Sequence, residues 1–172
     1  MMDPVYGKAF ICKDAVTVYE IISEAHWTMK KLDPEAMGNW VFETLEPGCE
    51  GVPGAFKEKG YGIVVAGETF GCGSKSVEHP MAALKGAGIQ LIIAESVSRY
   101  SYRNAINLAL PVLICPGISS RVRKGDLLKA NLYSGLVRNE TRNESYEAQG
   151  LGEFAMRIIE RGGLREYIRG GL

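Results

Sequence analysis

Three apolar runs separated by two helical patterns predict an α/β fold built on a largely parallel β-α-β-α-β core. The runs are residues 61–66, Gln90-Leu91-Ile92-Ile93-Ala94 and Pro111-Val112-Leu113-Ile114-Cys115. Between them lie helical stretches at 79–87, closed by Gly88, and at about 97–108. Strands that alternate with helices need crossover connections, which pair neighbouring strands in parallel and lay the helices on the sheet faces.

Ahead of this core, Lys8-Ala9-Phe10-Ile11-Cys12 reads as an early strand, followed by a turn and a second apolar stretch. Residues 19–32 are ambiguous and are expected to be part strand and part loop. Asp33-Pro34-Glu35 marks a helix start, with Asp as N-cap, Pro at the first helical position and Glu in the first turn. That helix is expected to reach about Leu45, with Met37, Val41 and Leu45 on one face, and to end at Pro47-Gly48. Residues 48–60, glycine-rich and containing Pro53, read as a loop. After the core, Gly125-Asp126 is a turn, and 127–149 is hairpin material that is strand-like from Tyr133 to Val137. A last helix over about 151–160 is closed by Gly162-Gly163 and leaves a short tail. With 172 residues, no internal repeat and no linker, one domain spanning 1–172 is expected.

Twenty basic and twenty acidic side chains balance, so charge gives no reason to expect nucleic acid or an anionic membrane as partner. No apolar run approaches the ~20 residues that span a bilayer, and no charged-then-apolar leader is present, so a cytoplasmic chain is expected. The cysteines, Cys12, Cys49, Cys72 and Cys115, form no C-x-x-C pair and have no histidine at ligand spacing. They read as free thiols, and no metal or cofactor is expected in this chain.

Chemistry concentrates in Gly67-Glu68-Thr69-Phe70-Gly71-Cys72-Gly73-Ser74-Lys75-Ser76-Val77-Glu78-His79. A buried strand feeds a turn with three glycines in seven residues, and the turn opens a helix with Pro80 in its first turn. Such a loop presents backbone N–H groups to an anion, and this one adds a hydroxyl, Ser74, and a cation, Lys75. It is not a nucleotide phosphate loop, because Ser74 stands where G-x-x-x-x-G-K-[ST] requires glycine before lysine. Nor does it complete a dinucleotide fingerprint: Gly71-Cys72-Gly73 begins G-x-G-x-x-G, but position 76 is serine.

Gly67-Glu68-x-Phe70-Gly71-Cys72-Gly73-Ser74 followed by Glu78-His79 resembles the signature of the 3-isopropylmalate dehydratase small subunit, the swivel domain of the aconitase superfamily. The resemblance continues through Ala87-Gly88-Ile89, Ile93-Ala94-Glu95-Ser96 and Tyr102-Arg103-Asn104-Ala105-Ile106-Asn107-Leu108, and returns in Ile158-Ile159-Glu160-x-Gly162-Gly163-Leu164. It is strong over residues 60–115, clear in the C-terminal helix and thin over 1–60. The resemblance implies an aconitase-type swivelling β/β/α domain that covers a large partner subunit carrying a [4Fe–4S] cluster. It also implies Ser74 as the catalytic base that takes a proton next to a carboxylate of a small dicarboxylate substrate.

The family pattern reads Gly-Ser-Ser-Arg-Glu-His, whereas Gly73-Ser74-Lys75-Ser76-Val77-Glu78-His79 is one residue longer and lacks the arginine. The resemblance therefore places Gly73 and the Lys75-Ser76 pair near the substrate carboxylate, with either Lys75 supplying the missing charge or Ser76 lying opposite the arginine; lysine cannot copy the bidentate guanidinium. Glu78 and His79 read as helix-capping and packing residues. The family's substrate-selecting loop corresponds to residues 24–30, which makes His26 and Trp27 candidate substrate contacts. Arg103 and Asn104 match the family pattern and are expected to make structural hydrogen bonds. The resemblance implies a hydro-lyase acting on a substituted 2-hydroxy dicarboxylate such as 3-isopropylmalate. These departures point to a methylated malate, such as 2-methylmalate or a dimethylmalate, to weakened catalysis, or to a non-catalytic assembly or regulatory partner of the large subunit.

Overall fold

The computed structural model describes residues 3–28, 30–73 and 75–170. The strands are β1 (Val5–Cys12), β2 (Tyr61–Ala66), β3 (Leu91–Ala94), β4 (Val112–Ile114), β5 (Leu127–Ala130), β6 (Leu136–Asn139) and β7 (Glu144–Glu147). They form one sheet in the order β4-β3-β2-β1-β5-β6-β7. The first four pair in parallel, and β1 then turns the sheet antiparallel through β5, β6 and β7. The helices are α1 (Val18–Ile21), α2 (Pro34–Gly38), α3 (Ala55–Glu58), α4 (His79–Gly86), α5 (Arg99–Asn107), α6 (Glu153–Glu160) and α7 (Leu164–Arg169). No described helix is long and apolar enough to cross a membrane.

Strand alternation sorts the core into two layers, because successive side chains point to opposite faces. Phe10, Val64, Ala66, Ile92, Ala94 and Val112 face a cluster built with Ile21, Met37, Phe42 and Phe56 and with Met81 and Leu84 of α4. Ala9, Ile63, Val65, Leu91, Ile93 and Leu113 face the second cluster, which takes in Leu128, Val137, Tyr146 and Met156 and Ile159 of α6. Helix α5 supplies Ala105 to the first cluster and Ile106 to the second. The expected strand–helix alternation from 61 to 115 is present: β2 has the expected bounds, and no other end is trimmed by more than two residues.

Elsewhere the structure corrects the sequence reading. Residues 18–21 are a helical turn rather than strand or loop, closed by a capping box in which Thr17 and Glu20 satisfy each other's backbone N–H. The helix at Asp33 starts as expected, with Asp33 Oδ1 accepting from Ala36 N, but it ends at Gly38 rather than near Leu45. Phe42 lies at φ +54, and its N–H leaves the helical ladder to bond the Ile21 carbonyl. Residues 55–58, read as loop, form α3. Residues 131–135 are the turn between β5 and β6, so the strand begins at Leu136 and not at Tyr133; Asn131 Oδ1 accepts from both Tyr133 N and Ser134 N. The last helix starts at Glu153, and the tail after Gly162-Gly163 is helix α7.

Candidate functional site

The glycine loop lies at the carboxyl ends of the parallel strands, where open α/β sheets bind their ligands. It is laced on both sides. Toward β1, Gly71 N and Cys72 N donate to the Val16 carbonyl at 2.8 and 3.2 Å, and Val18 N donates to the Cys72 carbonyl at 2.9 Å. Asp14 Oδ1 accepts from Glu68 N at 2.8 Å. Toward β3, Phe70 N bonds the Ser96 carbonyl, Ser98 N bonds the Phe70 carbonyl, and Ser96 Oγ accepts from Thr69 N. Phe70, fully buried, anchors the loop in the first apolar cluster. These contacts prolong the sheet by one short parallel bridge on each flank.

Gly71 is the pivot. It sits at φ +68, and a methyl group there would stand 2.5 Å from Ser101 Oγ, so both conformation and space demand glycine. Its carbonyl accepts from Ser98 Oγ and Ser101 Oγ, each at 2.6 Å. Further along, Asn104 Nδ2 donates to the Val77 carbonyl at 2.8 Å. Asn104 thus makes the structural hydrogen bond expected of it, whereas Arg103 is exposed and makes no side-chain hydrogen bond among the described residues. Sequence reading missed Asp14, Ser98 and Ser101; the Ser98-x-x-Ser101 spacing at a helix start was the available signal.

Of the residues read as site candidates, Ser74 lies outside the described residues. Gly73, Lys75 and Ser76 are exposed on the loop. Lys75 Nζ stands 3.5 Å from Glu24 Oε1, so the loop's cation meets a carboxylate of the 3-10 turn Glu24–His26. Trp27 stacks on His79 with ring centroids 4.8 Å apart and an 11° interplanar angle, and Tyr19 stacks behind it. Two contacts therefore bring residues 24–27 against residues 75–79. His26 turns the other way: it stacks on Trp40 at 4.0 Å, and its Nε2 lies 3.1 Å from Glu43 Oε1. His79 packs as expected, and its Nδ1 is buried without a hydrogen-bond partner among the described residues. Glu78 occupies the N-cap position of α4 but makes no side-chain capping bond, contrary to expectation.

A groove of 680 Å³ lies elsewhere, along α4 between α2 and α7, lined by Leu32, Lys57, Lys85, Leu108 and Leu164 among others. Lys85 there donates to the Leu108 carbonyl, and burial pulls its pKa below the ordinary lysine value. Among the described residues no group of three or more His, Cys, Asp or Glu side chains is placed to hold a metal ion. Cys12, Cys49 and Cys115 are buried free thiols and Cys72 is half-buried.

The aconitase C-terminal domain family matches residues 50–115. A 3-isopropylmalate dehydratase small subunit 1 from Methanopyrus kandleri is 40% identical over 171 residues, covering 98% of this chain and 95% of that protein. An isopropylmalate/citramalate isomerase small subunit from Methanocaldococcus jannaschii is 45% identical over 136 residues, covering 79% of this chain and 77% of that protein. The crystal structure of a 3-isopropylmalate dehydratase from Methanocaldococcus jannaschii superposes with a TM-score of 0.82 at 27% identity, covering 97% of this chain and 94% of that one. With sequence and fold matched along nearly the whole length, this chain belongs to the 3-isopropylmalate dehydratase small-subunit family, within the aconitase superfamily.

Proposed function

We propose that this chain is the small subunit of a cytoplasmic two-subunit hydro-lyase, active only with its large subunit, that dehydrates and rehydrates a substituted 2-hydroxy dicarboxylate. The observation that carries the reading is the glycine loop at the carboxyl ends of β1, β2 and β3, laced so that its outer residues stay exposed. Such an open loop is half of a site, and a second chain would complete it. The names of the relatives give the substrate class: isopropylmalate, or citramalate, which is 2-methylmalate.

In this reading Ser74 takes the proton from the carbon next to a carboxylate. A serine hydroxyl can act as base only where its alkoxide is strongly stabilised, and main-chain amides at a helix start together with a lysine ammonium supply that field. Gly73, Lys75 and Ser76 bind the carboxylate, while Trp27 borders the substrate's side chain and His26, turned to Trp40 and Glu43, steadies the segment that carries it. The described residues of this chain do not offer a ligand set for an iron–sulfur cluster, and the reading assigns the [4Fe–4S] cluster to the large subunit, where it supplies Lewis acidity toward the departing hydroxyl. No nucleic acid or membrane takes part.

The test is to co-purify the chain with its large subunit and assay hydration across a panel of malates. Ser74→Ala is expected to leave the complex intact and lower turnover by orders of magnitude; undiminished turnover would remove Ser74 from the mechanism. The altered loop, without the family arginine, favours one competing reading, an assembly or regulatory partner. Complex formation without activity on any malate is the result that reading requires.

A further inference from the structure

Three side chains on one stripe of α5 and its N-cap hold two main-chain carbonyls of the glycine loop. Ser98 Oγ and Ser101 Oγ both donate to the Gly71 carbonyl at 2.6 Å, and Asn104 Nδ2 donates to the Val77 carbonyl at 2.8 Å. Positions 98, 101 and 104 recur at helical spacing and so share a face. The carbonyls they hold belong to the residues three before and three after position 74 in sequence. Ser101 is 2% exposed and Asn104 7%. Buried polar groups must find partners within the protein, and here the partners are loop carbonyls.

A peptide unit's C=O and N–H point in opposite directions. Drawing the Gly71 carbonyl toward α5 turns Cys72 N–H to the Val16 carbonyl, which it bonds at 3.2 Å. Drawing the Val77 carbonyl toward α5 turns Glu78 N–H away from it, at the open end of α4, where that group makes no hydrogen bond among the described residues. Of the two peptide units held from behind by α5, one is thereby pinned to the Val16 carbonyl through Cys72 N–H, and the other leaves Glu78 N–H free of a hydrogen bond among the described residues.

We infer that Ser98, Ser101 and Asn104 are positioning residues for the reaction: they fix the glycine loop by the Gly71 and Val77 carbonyls so that Glu78 N–H and the exposed Lys75 and Ser76 face the substrate carboxylate. None of the three touches substrate. The inference deepens the hydro-lyase reading and rests on it.

Ser98 allows a clean test because it plays two parts. Its Oγ accepts from Ser101 N as the cap of α5 and donates to the Gly71 carbonyl. Ser98→Asp keeps the cap but replaces the donor with a carboxylate; Ser98→Thr keeps both; Asn104→Asp replaces the amide donor at unchanged size. In the assembled enzyme, both Asp variants are expected to lower kcat about 10- to 100-fold, with KM and subunit affinity within about threefold of wild type. Ser98→Thr is expected to retain wild-type turnover. In the isolated chain, hydrogen exchange of the Gly71 and Cys72 amides, which bond the Val16 carbonyl, should quicken about tenfold or more in Ser98→Asp and nowhere else. Wild-type kcat in both Asp variants, or exchange that rises uniformly along the chain, overturns the inference. Should Asn104→Asp fail to fold, Ser98→Asp at its half-buried position decides alone. Ser74→Ala assayed in parallel separates the two levels. Retained activity there refutes the base assignment, whereas an inactive Ser74→Ala beside fully active Asp variants refutes only the positioning role.

Discussion

Gly38 and Gly86 put the backbones of α2 and α4 in direct contact. A methyl group on Gly38 would overlap the carbonyl of Gly86, and one on Gly86 would overlap the Pro34 carbonyl oxygen. Helix α2 follows the 24–28 segment and α4 follows the glycine loop, so this crossing fixes the spacing of the two segments that meet at Lys75–Glu24 and Trp27–His79. Alanine in a helix gains up to about 1 kcal/mol over glycine, but forcing a methyl into a packed backbone contact costs about 1–3 kcal/mol, sometimes more. The clash wins. Gly86→Ala is expected to lose about 2 kcal/mol and lower Tm by roughly 4–8 °C, read by thermal unfolding; a raised Tm would refute the contact.

Lys75 and Glu24 form an exposed pair, with side chains 62% and 54% accessible, and such pairs contribute at most about 1 kcal/mol. Glu24→Gln should therefore leave Tm almost unchanged. Its kinetic effect is larger, because Glu24 places a carboxylate on the cation proposed for the substrate's carboxylate. KM for the malate should fall in Glu24→Gln and rise steeply in Lys75→Ala, with kcat less affected. Steady-state kinetics at two salt concentrations test both. A KM rise in Glu24→Gln would show that Glu24 helps to hold substrate instead of competing with it.

Acid stability should depend on Glu46. This buried carboxylate lies between Lys59 at 3.1 Å and Lys124 at 2.5 Å. Burial pushes its pKa up, but hydrogen bonds from Lys124 and then Lys59 outweigh it, and the net shift is downward. A carboxyl with a lowered folded-state pKa stabilises the fold above its unfolded value of about 4.3, and that contribution is lost as pH falls through the folded value. Glu20, also lowered by Lys13 and by the Thr17 backbone, acts in the same direction. Tm is expected to fall as pH drops below about 4. Glu46→Gln should lower Tm at pH 7 and narrow the gap to wild type toward pH 3. A gap that stays constant across that window would exclude the carboxylate's charge as the cause.

How much of this was legible in the sequence depended on whether local signals acted alone. The runs 61–66 and 90–94 were legible because they are apolar on both faces and bounded by glycine or turn residues. The helix after Asp33 was misjudged in length because its end is tertiary: Phe42 takes a positive φ to reach the Ile21 carbonyl. The turn Thr17 to Glu20 carried a capping-box signal, S/T-x-x-E, that the ambiguous apolar stretch obscured. Tyr133 looked like strand by residue type, yet Asn131 folds its neighbours into a turn. At the site, the order of glycines, hydroxyl and lysine was readable along the chain. Its surroundings were not, because Asp14, Glu24, Ser98 and Ser101 come from segments far apart in sequence, joined by the parallel sheet and, for Glu24, by the crossing of α2 and α4.

Trp27 offers the sharpest test of substrate selection. Its ring lies between Tyr19 and His79, stacked at 6.0 and 4.8 Å, so it ties residues 24–28 to the first turn of α4 while bordering the proposed site. Trp27→Phe keeps an aromatic face for His79 and should preserve both stability and selectivity. Trp27→Ala removes the wall. One methylene in an apolar pocket is worth about 1–3 kcal/mol, or 10- to 200-fold in kcat/KM, so the ratio of kcat/KM for isopropylmalate to that for 2-methylmalate should change by about tenfold or more. The two substrates are to be assayed with the same reconstituted enzyme, so that any loss of folded protein cancels in the ratio. Equal losses on both, with the ratio intact, would make Trp27 a packing residue and move the selecting contact to another part of the site.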